Sequence, residues 1–347
     1  MMNSKTSRLL QYTGNPSQVF YAQRMTMREG RADGTDVIEV GNGKMMLWVM
    51  PGRCLDIGRL SYGGVNFSFL SKAGFSNGAY CGHFGMEGLS TFAPGFLTTC
   101  GLANSGLPNT VDSEEFGFHG RIGQTPAEEI SVIRDIRAEE PVIKIAGWVR
   151  EGRLFGRSLA LKREFTFYFD KPYFDIKDTI YNETPKDEHF MLLYHFNFGY
   201  PLLDENTRFI TTHAYDHPVD ENAKREETNR KVFYKPGCGI PENCFYYKQH
   251  RAQNGEAFAA LVNEPLGLGA VIRTNPEELP LLCQWKSWSM GDYVSGIEPC
   301  NCQGDGRKAH IDRGEAEIIP AYGQKSVSIR VEITDNGKVA ELERNTR

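Results

Sequence analysis

Apolar and polar residues alternate with a period of two along much of this chain. From Leu159 to Phe169 one face carries Leu159, Leu161, Phe165, Phe167 and Phe169, interrupted only by Arg163; the other carries Ala160, Lys162, Glu164, Thr166 and Tyr168. That pattern predicts a half-buried strand. A turn is expected at Asp170-Lys171-Pro172, followed by a second strand in which Phe174, Ile176 and Ile180 alternate with Asp175, Lys177 and Thr179. Similar alternation covers Ile143 to Val149 and Val327 to Ile333, and short apolar runs at Met45–Met50, Phe258–Val262 and Ala270–Ile272 fit more deeply buried strands. Helical periodicity sustained over ten residues is scarce. The charged stretch Glu221–Arg230 is expected to be an exposed loop or a frayed helical turn.

The 36 glycines and 17 prolines are spread between these segments, as in a chain of many short strands joined by turns. No linker or fixed-period repeat divides the 347 residues, so one domain over 1–347 is expected. Hydrophobic residues at 40%, charged at 24% and aromatic at 12% give the composition of a globular protein with a substantial core.

A net charge of −5 and a pI near 6.0 provide no drive toward nucleic acid or anionic membrane. No apolar run is long enough to span a bilayer, and Met1–Asn15 lacks the apolar core of a secretory signal, so a cytoplasmic protein is expected. The eight cysteines show no zinc-ribbon spacing and are read as reduced thiols, with Cys300-Asn301-Cys302 a loop feature.

Three segments set ionisable side chains among glycines and aromatics. In Phe116-Gly117-Phe118-His119-Gly120-Arg121 the glycines permit a tight turn that could present His119 to a cleft. In Leu193-Tyr194-His195-Phe196-Asn197-Phe198 alternation puts His195 on one face with Leu193 and Asn197, opposite Tyr194, Phe196 and Phe198. Glu298 ends a short apolar stretch, and Pro299 is expected to stop the strand there and leave the carboxylate at its mouth. Each residue taken alone is equally explained as a structural one. Together, two histidines and a carboxylate form an acid–base set, although separations of 76 and 103 residues leave their meeting to the fold. Trp285 offers a flat face to sugar C–H bonds, and Lys286 a hydroxyl donor.

The order of His-Gly-Arg at 119–121, the strands at 159–169 and 174–181, Tyr194-His195-Phe196-Asn197 and Gly296-Ile297-Glu298-Pro299 resembles the aldose 1-epimerase (galactose mutarotase) superfamily. Pro51-Gly52-Arg53-Cys54-Leu55-Asp56-Ile57-Gly58 and Thr99-Cys100-Gly101-Leu102 are similar to a bacterial branch of largely unassigned substrate, and the likeness runs from about residue 40 to about 333. The resemblance implies an all-β fold, a β-supersandwich of two large antiparallel sheets with few short helices and a sugar cleft on a concave face.

It also implies an isomerase that interconverts sugar anomers without metal or other cofactor, with Glu298 as general base, His195 as proton donor to the ring oxygen and His119 as the second histidine. Galactose mutarotases proper have Asn-His followed by Ser or Thr where this chain has Tyr194-His195-Phe196-Asn197, a departure that bears on the substrate. Arg53, Asp56, Asn197, Trp285 and Lys286 are the candidate binding walls, a carbohydrate the expected partner and a homodimer compatible with it. Three alternatives stay open. A non-catalytic sugar-binding or sensor domain could keep the same fold, a glycoside hydrolase or lyase would need a second carboxylate such as Asp56 or Glu87, and a metal-dependent isomerase would draw on His83, His119, His195 and Glu87. No tight Lys/Arg cluster lies beside the motif residues, which argues against a sugar phosphate.

Overall fold

A computed structural model describes residues 4–248 and 257–346. The chain is built mainly of strands in large antiparallel sheets, with four short α-helices among the described residues, Ser4–Tyr12, Glu221–Arg225, Arg307–Arg313 and Val339–Arg344. An eight-stranded sheet runs in the order Glu128–Asp135, Val142–Gly152, Ser158–Tyr168, Tyr173–Asn182, Gln324–Asp335, Leu268–Thr274, Ala257–Asn263 and Thr207–Thr211. A second sheet runs Ala214–Pro218, Asn243–Lys248, Leu281–Ser289, Asp292–Cys300, Glu188–Phe198 and Glu317–Ile319, and Leu97–Leu102 also pairs with Glu188–Phe198. A five-stranded meander from Tyr21 to Asn66 precedes both.

One continuous apolar core joins the three sheets. Ile145, Leu161, Phe165 and Ile176 from the first meet Tyr194, Phe196, Phe198 and Ile297 from the second and Ile38, Val40 and Leu47 from the meander. The period-two pattern therefore predicts which side chains enter the core, because each sheet has one face turned toward it. Tyr194, Phe196 and Phe198 share one face of Glu188–Phe198, as alternation predicts, and the structure makes that face the core side and His195's face the other.

Arg163, the interruption in the apolar face of its strand, is fully buried in that face rather than displaced from it. Its cross-strand partner is Asp178, which it meets through Nε at 3.1 Å and Nη2 at 2.7 Å. Nη1 donates to Asp56 at 2.6 Å and to the Cys54 carbonyl at 3.1 Å, and Nη2 also reaches Thr99 Oγ1 at 2.9 Å. A guanidinium held by two carboxylates and two further acceptors satisfies the condition under which a charge can be buried. This network ties the eight-stranded sheet to the Leu97–Leu102 strand and the start of Asp56–Tyr62. Glu221–Arg230 contributes a short helix and a 3₁₀ turn, Glu227–Asn229, at whose end the Asn229 and Arg230 carbonyls accept from Lys286.

Candidate active site

Five neighbouring strands bring the chemistry together on the face of the second sheet opposite the core. His195 pairs with Thr98 on one side, and the register Phe196↔Ile297, Asn197↔Gly296 puts Glu298 across from it on the other. Glu298 is in turn opposite Cys283, and Cys283 opposite Tyr246. One row across the sheet thus reads Tyr246, Cys283, Glu298, His195, Thr98. His195 Nε2 lies 3.2 Å from Glu298 Oε1, and both residues are nearly inaccessible, at 4% and 3% exposed.

Pro299 does not stop the strand. Asp292–Cys300 continues through it, with Leu282↔Pro299 and Leu281↔Cys300 still in register, so Glu298 lies within the sheet rather than at a mouth. The expectation fails because the missing proline N–H falls where pairing with the histidine strand lapses, between Leu193↔Cys300 and Phe196↔Ile297.

Gly296 sets the carboxylate's position. A Cβ at this residue would sit 2.2 Å from Glu298 Oε1 and 3.2 Å from His195 Cε1. The Glu298 side chain therefore lies back along its own strand over Gly296, and only a residue without a side chain leaves that space.

His119 arrives from a separate loop. It adopts φ +59°, a left-handed conformation uncommon for a residue with a side chain. The turn around it is closely packed, since a Cβ on Gly117 would lie 2.3 Å from the His83 carbonyl oxygen and one on Gly120 2.3 Å from that of Gly101. The Gly106 N–H donates to His119 Nδ1 at 3.2 Å, which leaves the proton of the neutral ring on Nε2. The His119 and His195 rings are 5.7 Å apart and nearly perpendicular. Phe92 packs against both, stacked on His119 at 6.0 Å and edge-on to His195 at 5.5 Å, while Trp285 meets His195 at 5.3 Å.

Burial dominates the electrostatics. It raises the Glu298 carboxyl to about 8, partly opposed by the Cys283 thiol and reinforced by Glu242. Burial depresses His195 well below the usual imidazole value, with His119 adding to the effect and Asn197 opposing it, and it lowers His119 to about 4. Both members of the close pair are thus driven toward their uncharged forms, a carboxylic acid beside a neutral imidazole. Three polar atoms at the site, His195 Nδ1, Glu298 Oε1 and Asn197 Oδ1, are buried without a well-aligned hydrogen bond.

The remaining sequence candidates divide. Asn197 is on the His195 face and donates through Nδ2 to the His195 carbonyl at 2.6 Å, and Trp285, half-buried, donates through Nε1 to Glu242 at 2.7 Å. Arg53 stands further off, donating to the carbonyls of Gly123, Ser76 and Thr91, and with Phe92 and His119 it lines a gap of about 20 Å³.

Asp56 is held by the Thr99 N–H and hydroxyl and by Arg163, with its carboxyl raised to about 6 by burial against the lowering effect of Arg163 and Thr99. It belongs to the buried network rather than to a binding wall. Lys286 turns into the core, because strand alternation puts it on the face opposite Trp285. Its Nζ donates to the carbonyls of Asn229, Arg230 and Val232 at 3.1, 2.7 and 2.9 Å, and burial lowers it to about 7. Trp285 and Lys286, both expected on the binding walls, thus lie on opposite faces of one strand. Cys283, Phe92 and the steric role of Gly296 escaped the sequence reading, since only register and loop packing bring them to the pair. Glu87 is exposed, and the described residues contain no cluster of three or more His, Cys, Asp or Glu side chains suited to a metal ion.

A family model described as "Domain of unknown function (DUF4432)" matches residues 32–333. None of the curated proteins matches the chain. Among solved structures, a candidate aldose 1-epimerase from Klebsiella pneumoniae superposes with a TM-score of 0.88 at 22% identity, covering 94% of this chain and 86% of its own. A galactose mutarotase-like protein from Clostridium acetobutylicum gives 0.61 at 12% identity over 92% and 99% of the two chains. A GalM/aldose epimerase homologue from C. elegans gives 0.53 at 12% identity over 87% and 99%. These likenesses establish a galactose mutarotase-like fold.

Proposed function

The chain belongs to the DUF4432 family, and we propose that it is an aldose 1-epimerase-like enzyme that interconverts the anomers of a sugar, with His195 and Glu298 as its acid–base pair. The observation that carries this reading is the buried 3.2 Å contact between an imidazole and a carboxyl that are both driven to their neutral forms. Opening a cyclic hemiacetal requires a proton to leave the C1 hydroxyl as C1=O forms, and a proton to reach the ring oxygen as its bond to C1 breaks. Two oxygens on one carbon are close enough for adjoining groups to serve both. The pair carries one proton and one vacant basic site, which is what the exchange consumes and regenerates.

Before a sugar enters, the resident proton is on Glu298. Transfer along the Nε2–Oε1 line produces the imidazolium and carboxylate that the family resemblance assigns as donor and base. Rotation about C1–C2 and reclosure with the roles reversed yields the other anomer, with every proton returned. His119, with its Nε2–H free of the Gly106 contact, donates to the sugar beside the pair. The faces of Phe92 and Trp285 stack on sugar C–H bonds. Phe92, in contact with both histidine rings, stands over the nearly inaccessible pair.

The test is NMR exchange spectroscopy of anomer interconversion over hexoses, pentoses, deoxy sugars and acidic sugars. Glu298→Gln should slow exchange on the responsive sugar on the order of 10²–10⁴-fold. A folded Glu298→Gln protein that exchanges anomers at the wild-type rate overturns the mechanism. Sugar binding with no exchange on any member of the panel overturns the enzymatic reading in favour of a binding module.

A further inference from the structure

His119 is seated on one short segment, residues 101–106. The Gly101 N–H donates to the His119 carbonyl at 3.1 Å, the His119 N–H donates to the Gly106 carbonyl at 2.9 Å, and the Gly106 N–H donates to the His119 ring at 3.2 Å. Asn104, fully buried, donates through Nδ2 to the Gly117 carbonyl at 2.9 Å. The fit is close, since a Cβ on Gly120 would lie 2.3 Å from the Gly101 carbonyl oxygen and 2.4 Å from that of Asn104. The turn at 117–120 therefore follows this segment, and whatever fixes the segment fixes the ring.

Two charged side chains from elsewhere in the chain hold it. Arg307, first residue of the Arg307–Arg313 helix, donates through Nη1 to the Ala103 carbonyl at 3.1 Å, and its N–H donates to Asn104 Oδ1 at 2.8 Å. Glu151, near the end of the Val142–Gly152 strand, accepts on Oε2 from the Leu102 N–H at 2.9 Å, and its Oε1 lies 3.5 Å from Arg157 Nη2. Leu102 adjoins Gly101, whose N–H makes the bond to His119, so Glu151 acts one peptide unit away from the seat of the turn.

The strand makes this a specific placement. Val142–Gly152 turns Ile143, Ile145 and Val149 into the core, and Glu151 takes the next inward position, where alternation calls for an apolar side chain. A carboxylate is tolerated there only with partners. Burial raises the carboxyl, opposed in turn by Arg157, the Leu102 and Ala103 N–H groups and Arg121. Arg121 stands two residues beyond His119, so the same carboxylate also attracts the turn itself. Hydrogen bonds from main-chain N–H groups to a carboxylate are stronger than those to a neutral acceptor.

We infer that Glu151 is a positioning residue of the proposed site. Through Leu102 and the 101–106 segment it holds the His119 ring 5.7 Å from that of His195, with Nδ1 on the Gly106 N–H and Nε2–H free to donate. The kinetic consequence rests on the reading of His119 as a donor to the sugar; the placement of the ring rests on the hydrogen bonds alone.

Heteronuclear NMR of the histidine rings in the full chain tests it. Wild-type His119 should be the Nε2–H tautomer and titrate at about 4. Glu151→Leu loosens the seat and admits water to the ring, and should raise that midpoint by about one unit or more, with both tautomers populated. Glu151→Asp, one methylene short of Leu102, should act in the same direction and decides the matter if the leucine variant does not fold. Glu151→Gln keeps an acceptor at full length and should shift the midpoint about half as far or less. Arg330→Gln, which breaks the Asp175 ion pair elsewhere on the same sheet, is the control and should leave His119 as in the wild type. On a sugar that exchanges, Glu151→Leu or Glu151→Asp should raise KM about tenfold with kcat within about threefold. An unmoved His119 in the folded leucine or aspartate variant, or an equal shift in Arg330→Gln, overturns the inference. A displaced His119 with wild-type KM overturns its bearing on the reaction. Absence of anomer exchange on every sugar would overturn the proposed function and not this placement, which the ring titration decides by itself.

Discussion

Replacing Glu298 by glutamine substitutes a permanently neutral amide of similar shape for a carboxyl that the fold holds protonated. The folded carboxyl titrates at about 8 and the unfolded one near 4.5, chiefly because burial opposes the anion. A pKa raised by folding adds stability that is fully present below 4.5, declines as pH climbs toward 8 and is gone above it. The slope in that window is about 1.4 kcal/mol per pH unit, so at pH 7 the wild-type protein has lost about 3 kcal/mol relative to acid conditions through this group. Glutamine has no proton to lose.

Glu298→Gln should therefore match the wild type near pH 4.5 and exceed it by about 3 kcal/mol at pH 7, while losing most of the proposed activity. Urea unfolding at pH 4.5, 6, 7 and 8, read by tryptophan fluorescence, measures the difference. If the gap between variant and wild type does not open between pH 4.5 and 8, the carboxyl is not held neutral, and the one-proton pair on which the mechanism depends does not exist. A stabilised but inactive variant is the signature of a site whose function requires a group that the fold disfavours.

Other consequences are equally direct. The pH profile of kcat/KM for anomer exchange should be level through neutrality and fall by about tenfold per pH unit above about 8, with its acid limb well below 6.5 because burial depresses His195. A profile that already falls between pH 6 and 7 would contradict that placement. Gly296→Ala puts a methyl group 2.2 Å from Glu298 Oε1 and should displace the carboxyl from His195, lowering kcat/KM by at least about tenfold while costing about 1–3 kcal/mol of stability. Wild-type kinetics in that variant would show that the close pair is dispensable. Arg163→Met leaves Asp178 and Asp56 buried without their cation and should destabilise the protein by about 3–5 kcal/mol in urea unfolding; a change below about 1 kcal/mol would mean that Thr99 and Tyr194 suffice to hold the carboxylates.

Alternation by itself determined the strands and their inward faces, because burial of one sheet face acts locally and with period two. It correctly put His195 with Asn197 on one face and Tyr194, Phe196 and Phe198 on the other; Trp285 and Lys286, expected together on the binding walls, stand on opposite faces of their strand. What alternation could not supply was which face of one strand meets which face of another. That depends on register between segments about 100 residues apart, such as His195 and Glu298. Lys286 and Asp56 looked like binding residues because charged side chains are usually found at surfaces; three carbonyls in one case and Arg163 with Thr99 in the other made burial tolerable.

Pro299 looked like a strand end because the sequence does not show that its missing N–H coincides with a lapse in pairing. Gly296, Cys283 and Phe92 gain their parts only through distances across the sheet and from a loop. The residue types of an acid–base site were thus legible in the chain. Tertiary structure alone decided the 3.2 Å contact and the burial that sets its protonation, because proximity and desolvation are properties of what surrounds a side chain and not of the side chain itself.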